Sequence, residues 1–157
     1  MIFLGIDPGT ASCGFAFVES VNDQLYAKHF GVITTSPKTP MQDRLLKIHS
    51  DLNAMINFFH PQVIGIEKLF FGKNSTTAIP VAQARGVILL AAAQNNLDLF
   101  EFSPNEVKLS VTGYGRADKH QVISSVTNLF NLNHPPQPDD AADALALAAT
   151  TFRAFEA

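Results

Sequence analysis

The sequence predicts an α/β fold in which a mixed five-stranded sheet carries helices on both of its faces. Three observations predict it: short apolar runs of strand length, longer segments with helical periodicity, and the alternation of the two in the second half of the chain. In order, the elements run β-β-β-α-β-α-β-α-α-α, without an internal repeat. With 157 residues and 46% hydrophobic content, we expect a single domain over residues 1–157.

Three strands are expected at the start of the chain, followed by a helix and a fourth strand. Ile2–Asp7 is an apolar run that ends in a Pro-Gly turn, and a turn at residues 22–23 separates the β-rich segments Cys13–Val18 and Leu25–Ile33. Residues 40–59 place apolar side chains at the spacing of an amphipathic helix. Val63–Glu67 is a short apolar run that ends in an acid.

The second half of the chain is predicted to be mainly helical. A loop over Phe70–Thr77 precedes an Ala-rich helix that continues to Asn96, with Pro80 in its first turn. The remaining elements are a strand, two short helices and a terminal helix: Leu97–Phe102, a helix capped by Ser103 and broken at residues 113–115, a helix from Asp118 to Leu132, and a helix over Asp139–Phe155 with Asp139 as its N-cap.

Composition limits the class of protein. Only 16% of residues are charged, which argues against a disordered chain, and we expect no membrane span and no signal peptide. The single cysteine, Cys13, cannot form an internal disulfide and favours a cytoplasmic location. The net charge of −3 counts against a nucleic-acid partner unless bound cations neutralise some of the acids.

Four carboxylates are in unusual places for acidic residues. Asp7 and Glu67 each end an apolar strand, and Asp140 and Asp143 are spaced to share one face of the last helix. Ligands of α/β sheets gather at strand ends, so these acids are expected to converge. The ordinary alternatives are a turn residue for Asp7 and helix-capping roles for Asp139 and Asp140, whereas Glu67 has no local structural role.

Such a cluster of acids predicts a metal site with hydrolytic chemistry. Carboxylates without nearby histidine or cysteine ligands select Mg²⁺ or Mn²⁺. Two such ions, about 3.5–4 Å apart, can activate a water and stabilise the leaving oxygen of a phosphodiester. The sequence therefore predicts a phosphodiester hydrolase with two Mg²⁺ ions, for which Mn²⁺ can substitute.

Four motifs resemble the RuvC family of crossover junction endodeoxyribonucleases, in the same order and over nearly the whole chain. They are Gly5-Ile6-Asp7-Pro8-Gly9-Thr10, Ile66-Glu67 with Phe70-Phe71-Gly72-Lys73-Asn74, Gln83-Ala84-Arg85-Gly86-Val87, and Asp140-Ala141-Ala142-Asp143-Ala144-Leu145-Ala146. The resemblance implies a ribonuclease H-like fold and a structure-selective nuclease that resolves Holliday junctions by paired nicks during recombination and repair. It also implies a homodimer, formed through the helix near Gln83–Ala93, with branch-migration machinery as a further partner.

The resemblance also implies roles for individual residues. The metal ligands would be Asp7, Glu67, Asp140 and Asp143, and Lys108 and Lys119 would hold phosphates or stabilise charge at the catalytic centre. Phe70 or Phe71 would stack on an opened base near the crossover. Further DNA contacts are expected from Lys73, Asn74 and Arg116. The alternatives for these side chains are a core phenylalanine and solvated lysines.

Three other functions stay open from the sequence. Asp-Pro-Gly-Thr also resembles the phosphate loop of actin-like and sugar-kinase ATPases, which need two such domains. A YqgF-like ribonuclease H-fold protein would process RNA with the same chemistry. A non-catalytic junction-binding or dimerisation module would keep the fold but not need all four acids, and all four are present.

Overall fold

The five strands form one mixed sheet, which the computed structural model describes together with its flanking helices over residues 1–69 and 75–157. The strand order across the sheet is β3-β2-β1-β4-β5. The strands are β1 (Ile2–Asp7), β2 (Ser12–Val21), β3 (Gln24–Thr34), β4 (Val63–Glu67) and β5 (Asp98–Phe102). The five-stranded sheet predicted from the sequence is confirmed.

The direction of each strand follows from its connection. Strands β1, β2 and β3 pair antiparallel, and β4 and β5 run parallel to β1 because helices connect them. The β2–β3 hairpin turns at Asn22 and Asp23, both of which have positive φ, the backbone conformation of the tight turns that suit hairpins. This turn lies where the sequence predicts it.

Helices cover both faces of the sheet, as predicted. They are α1 (Met41–Phe59), α2 (Ser75–Gln94), α3 (Pro104–Thr112), α4 (Lys119–Leu129) and α5 (Asp139–Glu156). The first two pack on one face, where Ile48, Leu52 and Ile88 join the core formed with the strands. The other three pack on the opposite face, and the alanines of α5 are buried there against Ala16 and Val18.

Helices α2 and α4 differ from the sequence prediction in their boundaries, and α2 ends at Gln94 rather than Asn96. Helix α2 begins at Ser75, so residues 75–77 are helical rather than loop, and Pro80 lies in the second turn instead of the first. The polar Ser-Thr-Thr segment suggested a loop, yet these residue types are also common where helices begin. Helix α4 ends at Leu129, and the chain turns through Asn131 with positive φ before Leu132.

Helix α2 is also the most apolar helix of the described part of the chain. Residues Thr76–Gln94 are long and apolar enough, by length and composition alone, to cross a membrane, whereas the sequence predicts no membrane span. A single helix of this kind is weak evidence for a membrane span, because a helix that covers a protein core has the same composition. Here Ala84, Ile88, Ala91 and Ala92 are buried against the sheet and α1.

Candidate active site

Two of the four acids are brought side by side by the sheet. Strands β1 and β4 are parallel neighbours in which Ile6 lies opposite Ile66, so Asp7 and Glu67 follow at equivalent positions where the strands end. Both acids are partly buried. The parallel register thus accounts for the convergence that the sequence predicts for strand-terminal carboxylates.

Helix α5 supplies the other two acids, and two glycines allow it to approach the sheet closely. Gly14 lies opposite Asp7 across the β1–β2 ladder, and a Cβ atom at Gly14 would collide with the backbone carbonyl of Asp140. A Cβ at Gly5 would likewise collide with the backbone of Ala144. The first turn of α5 therefore lies directly over the end of β1.

Three of the acids form a compact group. Each of Asp7, Asp140 and Asp143 offers a carboxylate oxygen, and these oxygens lie within 4.8 Å of one another. The group of described residues that satisfies this distance does not include Glu67, although Glu67 is close enough to Asp7 and Asp143 for mutual repulsion. The structure thus brings three predicted ligands together and leaves the fourth adjacent to them.

Burial and mutual repulsion make these carboxylates unusually basic. Burial, followed by the negative charges of Asp143, Glu67 and Asp140, raises the pKa of Asp7 from 3.8 to about 8. Burial also raises the pKa of Glu67 and that of Asp143, with Lys108 and Lys119 respectively opposing the increase. Such a cluster is unfavourable when fully ionised and becomes favourable when a cation neutralises it.

The donor atoms fit a hard divalent cation. Carboxylate oxygens dominate the cluster, which suits Mg²⁺ or Mn²⁺ better than zinc. Cys13 lies behind it, fully buried, and burial raises the pKa of its thiol to about 12. Because a protonated thiol is a poor metal ligand, Cys13 does not alter the oxygen character of the site. Its burial makes Cys13 a small residue of the core.

The two predicted catalytic lysines border the acids from different helices. Partial desolvation of the Lys119 ammonium lowers its pKa, but the negative charges of Asp143 and Asp139 outweigh this effect and raise the pKa. Lys119 also forms a 3.3 Å ion pair with Asp139. Lys108 on α3 is close enough to Glu67 for its positive charge to offset part of the increase that burial causes in the pKa of that carboxyl. Both lysines are therefore near the site, although their catalytic role stays a prediction.

Other expected site residues have different outcomes. Asp139 is not the N-cap of α5: Pro138 occupies that position without a side-chain cap bond, and the Asp139 carboxylate pairs with Lys119 instead. Arg116 lies exposed in the turn between α3 and α4. Phe70, Phe71, Lys73 and Asn74 lie outside the described residues, so their DNA contacts stay predictions.

Sequence reasoning did not identify two residues that shape the site. Gly14 permits the contact between β2 and Asp140, and a glycine inside a predicted strand is a usable signal for close backbone approach. Arg85 was noted only as part of a motif, but its side chain reaches the end of β4 beside Glu67. No local pattern indicates that contact, because it joins residues 18 positions apart.

Comparison with known proteins defines the class to which this fold and site belong. The fold matches the yeast mitochondrial Holliday junction resolvase with a TM-score of 0.69 at 16% identity, over 96% of this chain and 77% of the other, which shows that the two chains share a ribonuclease H-like fold. The RuvC structure from Thermus thermophilus matches with a TM-score of 0.91 at 31% identity, over 99% of this chain and 96% of the other.

The family is shown by sequence. The model of the family described as crossover junction endodeoxyribonuclease RuvC matches residues 3–151. A crossover junction endodeoxyribonuclease RuvC from Heliobacterium modesticaldum is 49% identical over 148 residues, which cover 94% of this chain and 91% of the relative. The chain belongs to the RuvC family of crossover junction endodeoxyribonucleases. The resemblance stated from its four motifs is therefore confirmed.

Proposed function

We propose that this chain resolves four-way DNA junctions by metal-assisted hydrolysis of one phosphodiester in each of two opposing strands. The observation that carries the proposal is the convergence of Asp7, Asp140 and Asp143, with Glu67 beside them, in a chain of the RuvC family. A Thermus thermophilus RuvC solved with a Holliday junction substrate matches this chain with a TM-score of 0.92 at 30% identity. That complex supports a four-way junction as the substrate.

Asp7, Glu67, Asp140 and Asp143 are the proposed ligands of two Mg²⁺ ions. When bound, the ions supply the acidity that activates a water and the positive charge that stabilises the leaving 3′-oxygen. The proposal is supported by the strand register and by the close approach of α5 to the sheet, which bring Asp7, Asp140 and Asp143 within 4.8 Å of one another with Glu67 beside them. Burial of these acids restricts competing water around the site.

Lys108 and Lys119 are proposed to contact the scissile phosphate or the developing charge. They approach the acids from α3 and α4, so they flank the cluster. The side chains of Lys119 and Asp139 are 59% and 56% exposed, and ion pairs at such exposure contribute little to stability. Lys119 can therefore exchange its ion pair with Asp139 for a DNA phosphate with little loss of free energy.

DNA binding away from the cleavage site is proposed for five residues. Phe70 or Phe71 stacks on a base opened at the crossover, a contact worth about 1–3 kcal/mol. Lys73, Asn74 and Arg116 contact the DNA backbone. Phe70→Ala is then expected to slow cleavage of an intact junction far more than cleavage of a junction already opened by mismatches at the crossover. Equal slowing on both substrates contradicts the stacking role.

A homodimer through α2 is proposed to place two active sites on one junction. Ile79 and Leu90 of α2 are 62% and 53% exposed, and Gln83, Gly86 and Ala93 are exposed at helical spacing between and after them. An exposed apolar stripe of this kind is typical of an interface. Leu90→Glu should yield monomers by sedimentation, with Leu109→Glu on α3 as a control because Leu109 is similarly exposed. A dimer that survives Leu90→Glu contradicts this interface.

The decisive experiment compares substrates and metals. A labelled four-way junction, a linear duplex and an RNA–DNA hybrid are incubated with Mg²⁺, with Mn²⁺ and with chelator, and Asp7→Asn serves as the inactive control. Symmetrically paired, metal-dependent nicks in the junction alone are the expected result. Cleavage of the hybrid or of RNA instead would favour the YqgF-like alternative. Tight junction binding without cleavage would favour the non-catalytic module.

The remaining parts of the proposal concern context. We propose that residues 1–157 act as one nuclease domain, that the protein works in the cytoplasm, and that branch-migration machinery acts on the same junctions. Two Mg²⁺ ions per site, with Mn²⁺ as a substitute, are counted by metal titration of the purified protein. A stoichiometry of one ion per protomer in the presence of junction DNA would contradict the two-metal assignment.

A further inference from the structure

The end of β4 is held by an arginine from the neighbouring helix. Arg85 of α2 has a side chain that is only 15% exposed, and its Nε donates a hydrogen bond of 3.4 Å to the backbone carbonyl of Glu67. Its Nη2 forms a 2.8 Å ion pair with the Oε2 of Glu101 on β5. We propose that Arg85 is a positioning residue that orients Glu67 toward the metal site.

The contact acts on one peptide unit. The carbonyl of Glu67 belongs to the same planar peptide as the N–H of Lys68, and that N–H donates a 2.8 Å hydrogen bond to the carbonyl of Phe102. Holding both sides of the plane restricts the backbone rotation that follows the Cα of Glu67. Glu67 forms the last pair of the β4–β5 ladder, so the Arg85 contact lies where the strand ends.

The carboxylate of Glu101 holds the Arg85 side chain in place. On β5, Glu101 lies opposite Ile66, one residue before the Glu67–Phe102 pair. The 3.4 Å bond to the carbonyl is long, whereas the 2.8 Å ion pair is short and charge-assisted, so the carboxylate of Glu101 is the stronger anchor for the guanidinium. A lysine at position 85 would keep the charge but lose the rigid group that reaches both partners.

Positioning and simple charge make opposite predictions for metal binding. Removing a cation from the neighbourhood of the acid cluster should, through space, strengthen the binding of a divalent ion. Removing a group that orients a metal ligand typically weakens metal binding by about 10–100-fold. Weaker binding after substitution of Arg85 therefore reports orientation and not net charge.

The test is a titration of metal-free protein with Mn²⁺ in the absence of DNA, in which binding is measured by calorimetry or electron paramagnetic resonance. This test rests on the proposed metal site, which Asp7→Asn checks in parallel. Arg85→Lys is expected to bind Mn²⁺ about tenfold or more weakly than wild type, and Arg85→Met more weakly still. Arg153→Lys is the matched control, because Arg153 also donates to a backbone carbonyl, that of Ser110, on another helix.

A second variant keeps the proposal testable if the Arg85 variants do not fold. Glu101→Asp keeps the negative charge but withdraws the carboxylate from Arg85, so Mn²⁺ affinity should fall about tenfold, the lower end of the effects of groups that orient metal ligands. Asp98→Glu on the same strand is the control, because it changes side-chain length without changing charge and should leave the affinity unchanged. Equal changes for the two variants overturn the proposal.

The outcomes separate this proposal from the proposed function. Folded Arg85→Lys protein with wild-type Mn²⁺ affinity overturns the positioning role, while the metal site stands. Mn²⁺ binding that is unaffected by Asp7→Asn contradicts the metal site itself and, with it, any role of Arg85 toward that site. Weaker binding by Arg85→Lys, with wild-type affinity in Arg153→Lys and an unchanged dimer, supports the proposal.

Discussion

Replacement of Asp7 by asparagine should stabilise the metal-free protein at alkaline pH. The pKa of Asp7 is raised from 3.8 to about 8 in the folded protein, so the protonated carboxyl favours the folded state. Below pH 3.8 this carboxyl is protonated in both states and carries no penalty. As the pH rises from 3.8 toward 8 the unfolded chain ionises first, and the unfolding free energy falls. At about 1.4 kcal/mol per pKa unit, this increase corresponds to about 6 kcal/mol of unfolding free energy. The asparagine amide stays partly buried and keeps some desolvation cost, so we expect a gain of about 2–4 kcal/mol.

Thermal unfolding at two pH values measures this effect. For a chain of this size, about 2–4 kcal/mol should raise the Tm of Asp7→Asn above that of wild type by roughly 5–15 °C near pH 8.5 in chelator. The difference should shrink near pH 4, where Asp7 is largely protonated in the folded protein. Asp98→Asn, an exposed acid on β5, controls for loss of one negative charge. A Tm difference that is the same at both pH values refutes the reasoning.

Metal should reverse the order of stability. Mg²⁺ or Mn²⁺ binds the folded wild type and stabilises it by mass action, by about 2.7 kcal/mol at one hundred times the dissociation constant. Asp7→Asn lacks one proposed ligand, so its Tm should respond little to the metal, and junction cleavage should be lost while junction binding remains. Equal metal-induced increases in Tm for both proteins would contradict a site that includes Asp7.

Three further predictions concern the support of the site. Gly14→Ala should lower the unfolding free energy by about 1–3 kcal/mol and weaken Mn²⁺ binding, because the new methyl group displaces the start of α5. Denaturant and metal titrations measure both effects. Gly115→Ala is the control, because a methyl group there meets only an ordinary 3.8 Å contact. Lys119→Met should reduce the single-turnover cleavage rate by about 10²-fold with a smaller change in junction affinity, and a change in affinity alone would place Lys119 in binding only. Ser103→Ala should cost about 1 kcal/mol in denaturant unfolding, since it removes half of the capping box of α3; an unchanged midpoint would show that packing alone sets the start of that helix.

Much of the site could be predicted from local features of the sequence. Asp7 and Glu67 are recognisable because an acid at the end of an apolar strand is costly without a partner, and Asp140 and Asp143 because their spacing places them on one helical face. Ser103 was recognisable as a helix cap for the same kind of reason, and the structure has its full capping box. These features depend on residues within one turn or one strand.

Other features lay beyond local pattern. The Ser-Thr-Thr segment at residues 75–77 is polar like a loop but begins α2, and Asp139 has the residue type of a cap but pairs with Lys119 of another helix. Ser and Thr are common both in loops and where helices begin, so residue type alone leaves the start of α2 open, whereas the ion pair of Asp139 comes from a distant segment. Such local preferences are easily outweighed by burial and ion pairing.

The sequence by itself determined which acids are candidates for the metal site, the order of strands and helices along the chain, and the resemblance to the RuvC family. Only the tertiary structure decided that Asp7, Asp140 and Asp143 meet within 4.8 Å while Glu67 stands beside them, that Gly14 admits the Asp140 backbone, and that Arg85 holds the end of β4. The physical reason is the distance along the sequence over which each kind of interaction acts. Periodicity and capping act between neighbours in the chain, whereas desolvation, repulsion between carboxylates and close backbone approach arise only when distant segments pack together.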